Sequence, residues 1–389
     1  MRELTRAKPN RFTHISLENW RNFSRVDTSL RQRVFLIGPN ASGKSNLLDA
    51  FRFLQDIVSV GGGFQQAVLK RGGVSRLRSL AARRYPDVSV QVHIGDEQEP
   101  QYWEYELRFK QDNRQRPIIT RERVALRGQV LLDRPDKRDA EDNERLTQTY
   151  LEQVYANQEF REVADFLVTI RYLHIVPQLV REPDRFVGRV NDPFGGDFLE
   201  QLARTPEKTR TARLRRIRDA LRVAVPQLSD LELSRDERGT PHLRGKYEHW
   251  RAQGAWLMED QFSDGTLRLM GLLWALRDGV GPLLLEEPEL SLHSEVVRYI
   301  PQMFARVQSK SSSRRQIILS THSPELLQDE GIGLDEVLIL QPGLEGTIVK
   351  PASAFEEIPA LLEGGVSLAE AVMPRTRPEK VEQLALFGA

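Results

Sequence analysis

The stretch Gly38-Pro39-Asn40-Ala41-Ser42-Gly43-Lys44-Ser45 constrains this chain more than any other. It fits G-x-x-x-x-G-K-[ST]. The apolar run Val34-Phe35-Leu36-Ile37 precedes it, and Leu47, Leu48, Phe51 and Leu54 follow on one helical face. A buried strand, a glycine-bounded loop and a helix N-terminus together make an anion nest, because successive backbone N–H groups converge where the helix dipole is positive. Gly38 and Gly43 allow the unusual backbone angles and the close approach to phosphate. Lys44 is expected to hold the β- and γ-phosphates and the Ser45 hydroxyl to ligate Mg²⁺, with Asn46 completing the candidate contacts.

Three further stretches belong to the same chemistry. Leu283-Leu284-Leu285-Glu286-Glu287-Pro288-Glu289 is an apolar strand ending in carboxylates, which a parallel sheet places at the edge where a nucleotide sits. One acid can reach Mg²⁺ through water and the next can orient or deprotonate the attacking water. Ile317-Ile318-Leu319-Ser320-Thr321-His322 is a second such strand, and His322 can reach the γ-phosphate or the lytic water. Ser263-Asp264-Gly265-Thr266 opens an apolar helix, where a serine and free N–H groups meet an anion or simply cap the helix.

Between these motifs the pattern changes. Val88, Val90, Val92 and Ile94 alternate with Ser89, Gln91 and His93, and Trp103 to Lys110 alternate likewise, so paired antiparallel strands are expected there, continuing to about Leu132. The charged residues 134–145 read as an exposed linker. Helices are expected over 145–170, 206–224, 264–277 and 291–308, with a hairpin over 228–248 turning at Asp236-Glu237-Arg238-Gly239. No repeat and no sustained heptads occur.

Composition removes several alternatives. The chain of 389 residues has 56 basic and 55 acidic residues and no cysteine, which excludes a disulfide framework, a thiolate metal site and a cysteine nucleophile. A net charge of +1 leaves only local patches for nucleic acid. No apolar run is long enough to span a membrane and no secretory h-region is visible, so a cytoplasmic location without membrane attachment is expected.

The order G-P-N-x-S-G-K-S, S-D-G-T, L-L-L-E-E-P-E-L-S-L-H and S-T-H-S-P, with the opening I-S-L-E-N-W-R-N-F, resembles ABC-type ATPases. More narrowly it is similar to the SMC/RecF/OLD-like group of AAA-type ATPases, which act on DNA or in phage defence. The resemblance implies an α/β P-loop NTPase of the ABC ATPase head type, with an antiparallel β-layer and an inserted, mainly helical lobe. It implies ATP and Mg²⁺ as cofactors and a homodimer sandwiching two ATP molecules. Ser263, Asp264 and Gly265 of one copy would face the γ-phosphate held by Lys44 of the other. Glu286 would take the metal-site role, Glu287 the catalytic-base role and His322 the switch role. Arg21, Asn22 and Phe23 are candidates to pack near the adenine, and either Gln91 or Gln65 for the family's Mg²⁺-sensing glutamine. His293 would flank the dimer interface or cap a helix.

The chain departs from the family in places. Glu286 stands where many ABC proteins have aspartate. The 133–250 insert is too short for long coiled-coil arms, and the residues after His322 are too few for a Toprim nuclease domain. The expected division is 1–132 and 251–350 for the two ATPase lobes, 133–250 for the insertion and 351–389 for a tail. Segments 69–84 and 204–222 are rich in arginine and lysine and are candidate DNA contacts, or ordinary solvated faces. Two functions follow: an ATP-hydrolysing dimer in DNA maintenance or anti-phage defence, or a non-hydrolysing ATP-gated scaffold that holds a separate effector such as a toxin or nuclease. A transporter subunit is disfavoured because the L-S-G-G-Q signature is missing.

Overall fold

The computed structural model describes residues 11–82, 86–187, 192–248, 254–310, 315–377 and 383. Fifteen strands lie among them: β1 (Arg11–Trp20), β2 (Phe23–Ser29), β3 (Arg33–Ile37), β4 (Val88–Gly95), β5 (Trp103–Gln111), β6 (Pro117–Leu126), β7 (Gln129–Arg134), β8 (Arg171–Leu173), β9 (Leu228–Arg235), β10 (Pro241–Tyr247), β11 (Ala255–Met258), β12 (Leu283–Glu286), β13 (Ile317–Thr321), β14 (Val337–Gln341) and β15 (Ile348–Pro351). The central sheet has the order β15-β14-β3-β13-β12-β8, parallel throughout except for the antiparallel edge strand β15. A second six-stranded sheet, β2-β1-β4-β5-β6-β7, is antiparallel, and β11-β10-β9 form a third.

The inner strands β3, β12, β13 and β14 each carry consecutive apolar residues because both faces are covered. Val34 and Leu36 pack with Leu284, Ile318 and the helix Lys44–Val58 toward the antiparallel layer. Phe35 and Ile37 pack with Leu283, Leu285 and Phe304 on the other face. A third core joins Leu214, Ile217 and Leu221 of the helix Glu207–Ala224 to Phe262, Met270 and Trp274. The fold is a mixed α/β P-loop architecture with an antiparallel β-layer, as the motifs imply.

Several expectations need correction. Residues 134–145 are mostly exposed, as expected, but Arg134 and Asp139 within them are buried: Arg134 has no exposed side-chain surface and pairs with Asp139 at 3.0 Å and Glu122 at 3.3 Å. The helix expected over 145–170 is confined to Arg161–Val168, after a short 3₁₀ turn at Asn143–Thr147. Its middle is held as turns, because buried Glu122 accepts the N–H groups of Tyr150 at 2.8 Å and Leu151 at 3.1 Å. The helix expected over 291–308 is broken into Ser294–Val297 and Ile300–Lys310, with Pro301 in the first turn of the latter, where its missing N–H leaves no ladder bond unmade. The 133–250 stretch pairs β9 with β10 as the expected hairpin, but it also sends β8 into the central sheet.

Candidate functional site

The parallel register decides what meets at the sheet's C-terminal edge. Thr321 lies opposite Ile37 and Ser320 opposite Glu286, so the Gly38 loop, Glu286-Glu287 and His322 leave adjacent strands at one level. Gly38 is closed in by backbone: a Cβ there would stand 2.6 Å from the Leu340 carbonyl. Gly43 has φ 99°, and a Cβ would stand 2.2 Å from Asn22 Nδ2. Asn22 explains the closeness. Its Nδ2 donates to the Ser42 carbonyl at 2.9 Å and to Thr347 Oγ1 at 2.8 Å, while Oδ1 accepts from Asn46 Nδ2 at 2.7 Å. Asn22 therefore braces the loop from behind. Phe23 is fully buried in the core, and Arg21 is tied to Asp49 at 2.8 Å. Trp20 adds a bond from Nε1 to the Asn46 carbonyl at 2.8 Å. Asn40 and Ala41 form the exposed tip, Pro39 is half-buried and Ser42 buried.

Lys44 is buried and folds back on the loop, its Nζ donating to the carbonyls of Gly38 at 2.9 Å and Pro39 at 3.1 Å. Burial lowers its pKa to about 8 against the pull of Glu287, Glu286 and Glu289. The Ser45 hydroxyl donates to Glu286 Oε1, and the Tyr172 hydroxyl donates to Glu286 Oε2. His174 Nδ1 lies 3.2 Å from the Glu286 carbonyl.

Glu287 sits in the left-handed region at φ 44°, costly for a non-glycine residue. Its N–H, donated to the Ser320 carbonyl at 3.1 Å, holds that turn. Its carboxylate lies 3.4 Å from His322 Nε2, and that hydrogen bond, aided by the charges of His322, Lys44 and His174, keeps it below the usual carboxylate range despite burial. Glu289 is buried and pushed up by desolvation; its Oε1 accepts from Thr321 Oγ1 at 2.6 Å and from the His322 N–H at 3.0 Å. It thereby fixes the backbone that carries His322.

The second corner is built on the helix Asp264–Ala275. Ser263 caps it, accepting from the Thr266 N–H at 3.2 Å. Asp264 pairs with Arg181 at 2.6 Å, and Arg181 also donates to the Phe262 carbonyl at 2.6 Å. Gly265 is packed on the 291 turn, where a Cβ would stand 2.4 Å from the Ser291 carbonyl. His293 caps a helix, its Nδ1 accepting from the Glu295 N–H at 3.2 Å.

Gln65 donates to the carbonyls of Pro117 at 2.9 Å and Thr147 at 2.7 Å, and Gln91 to Glu104 at 3.1 Å. The residues that touch Glu286 from outside the motifs are Tyr172 and His174, which lie just past the helix expected over 145–170. The alternation Arg171-Tyr172-Leu173-His174 was the available signal, and three residues are too few to read as a strand. Arg181 left no local signal.

In the arginine-rich segments, Arg71 is buried against Asp49 and Asp56 at 2.8 and 2.9 Å and is no DNA contact. Arg83 and Arg84 lie outside the described residues. Arg76, Arg78, Arg215 and Arg216 are exposed. No helix among the described residues is long and apolar enough to cross a membrane.

The donor set fits a nucleoside triphosphate with a hard divalent cation: a glycine-lined cradle, a lysine and a hydroxyl–carboxylate pair. Comparisons with known proteins agree. A solved SMC head bound to the C-terminal winged-helix domain of ScpA has a TM-score of 0.52 at 13% identity, covering 87% of this chain and 96% of that one, a likeness of fold. The "DNA replication and repair protein RecF" of Clavibacter michiganensis subsp. michiganensis (strain NCPPB 382) is 34% identical over 83 residues, and so is that of Clavibacter sepedonicus. Those matches span 21% of this chain and 20% of each relative, so the chain spans about a fifth of the length of the curated relatives it matches. A family model described as "AAA domain, putative AbiEii toxin, Type IV TA system" matches residues 33–328, from the strand before the phosphate loop to just past His322. The chain belongs to this AAA-domain family, as an SMC/RecF-like ABC ATPase.

Proposed function

We propose that the chain binds ATP with Mg²⁺, closes on it as a two-fold dimer and hydrolyses it, in DNA maintenance or anti-phage defence. The observation that carries this reading is the convergence of Lys44, Ser45, Glu286, Glu287 and His322 at one edge of the central sheet. The loop from Gly38 to Asn46 cradles the phosphates with its N–H groups, and Lys44 exchanges its loop carbonyls for phosphate oxygens. Ser45 and Glu286 hold the metal, which when bound neutralises charge on the β- and γ-phosphates. Glu287, kept ionised by His322, accepts the proton of the attacking water. Ser263, Asp264 and Gly265 of a second copy approach the γ-phosphate from the far side.

The test is Glu287→Gln in ATPase and size-exclusion assays. Turnover is expected to fall about a hundredfold or more, since a positioned base contributes that much, while the dimer with ATP persists longer than in wild type. Turnover at the wild-type rate would refute the assignment of the base.

A second reading is an ATP-gated scaffold for a separate effector protein. Glu286, standing where many ABC proteins have aspartate, favours it. It predicts tight ATP binding with negligible turnover in the wild type.

A further inference from the structure

We infer that Tyr172, contributed by the 133–250 stretch, is the positioning residue of the metal-site carboxylate Glu286. The inference rests on the ATPase reading above and adds a residue to that site. Glutamate has one more rotatable bond than aspartate, so fixing its carboxylate for a metal costs more side-chain entropy. Both Glu286 oxygens are tethered here, Oε1 by the Ser45 hydroxyl and Oε2 by the Tyr172 hydroxyl. Ser45 is itself a candidate metal ligand, so its hydroxyl would be shared between Glu286 and the cation, whereas the phenol touches only the carboxylate. The phenol is therefore the anchor.

Tyr172 is well placed to serve as that anchor. Its backbone pairs with Leu284 in the parallel register of β8 and β12, two residues before Glu286. The Arg52 guanidinium lies 4.1 Å from the centre of its ring, clamping it from the phosphate-loop helix. His174 Nδ1, 3.2 Å from the Glu286 carbonyl, ties the end of the same strand to the same residue. Two elements far from Glu286 in sequence, the helix Lys44–Val58 and the β8 segment, thus fix one residue. Hydrogen-bonding partners behind a metal ligand commonly govern metal affinity by a factor of 10 to 100. The competing view is that the ring merely fills space, and Tyr172→Phe separates the two, since it keeps the ring and its stacking and removes only the hydroxyl.

The experiment titrates Mn²⁺, observed by electron paramagnetic resonance, into full-length protein with a non-hydrolysable ATP analogue. Tyr172→Phe is expected to weaken Mn²⁺ about tenfold. Analogue affinity in EDTA and the thermal midpoint should match the wild type. In a Glu286→Asp background the same change is expected to add nothing, because the shorter acid no longer meets the phenol. Unchanged Mn²⁺ affinity in Tyr172→Phe overturns the inference while leaving the ATPase reading intact. So does an equal loss of analogue affinity in EDTA, or a further loss in the aspartate background. A wild-type chain that binds no analogue with or without Mn²⁺ overturns both.

Discussion

At the scale of single residues, the site stores its chemistry in three compromised positions. Gly43 takes a left-handed backbone that Asn22 presses against, Glu287 takes one without being glycine, and Lys44 is a buried cation held on carbonyls. The lysine yields a pH prediction. Its folded pKa of about 8 lies below the ordinary 10.5, because burial disfavours the charged form. A bound polyphosphate restores that form, so nucleotide binding near pH 8.5 is expected to take up a proton and to weaken as pH rises further. Calorimetry in buffers of different ionisation enthalpy reads the uptake, which should vanish near pH 6, where Lys44 is already charged, and in Lys44→Met. The stability sign follows likewise. The unfolded chain holds this proton to higher pH than the folded one, so Lys44 adds stability as pH climbs from about 8 toward 10.5.

At the scale of elements, the insertion is anchored by charge as well as by apolar packing. Arg134 ends β7 with no exposed side-chain surface, between Glu122 of β6 and Asp139, and stacks on Tyr150 at 4.1 Å from its ring centre. Glu122 in turn catches two backbone N–H groups of the segment that was expected to be helical. Removing one partner of such a buried pair leaves an uncompensated charge, so Arg134→Ala is expected to cost about 3 kcal/mol or more, read as a lower midpoint in urea unfolding. The cost should be largest above pH 7, because burial pushes Glu122 up to about 7 and it can protonate below that value. The charged run 134–145 was legible as polar and mostly exposed, but not the burial of Arg134 and Asp139 within it: a sequence reports charge, whereas burial depends on which opposite charges the neighbouring strands present.

At the scale of the whole molecule, the site lies at one edge of the central sheet, and the exposed Arg215 and Arg216 stand on a helix packed by Leu214, Ile217 and Leu221. If that face tracks a nucleic-acid backbone, Arg215→Glu with Arg216→Glu should weaken duplex DNA binding uniformly across sequences. The slope of log affinity against log salt should drop by about 2, measured by fluorescence anisotropy. Unaltered binding would assign the helix to solvent. The sequence by itself determined the phosphate loop, the acidic strand end, the histidine strand end and the alternating strands of the β-layer, because each is a local pattern of residue types that backbone geometry alone converts into structure. The tertiary structure decided what those motifs lean on: Asn22 behind the loop, Glu289 beneath His322, Arg181 on Asp264, and Tyr172 on Glu286. Those partners lie from 20 to 114 residues away in the chain. Strand order and register bring them together, and no local periodicity encodes that.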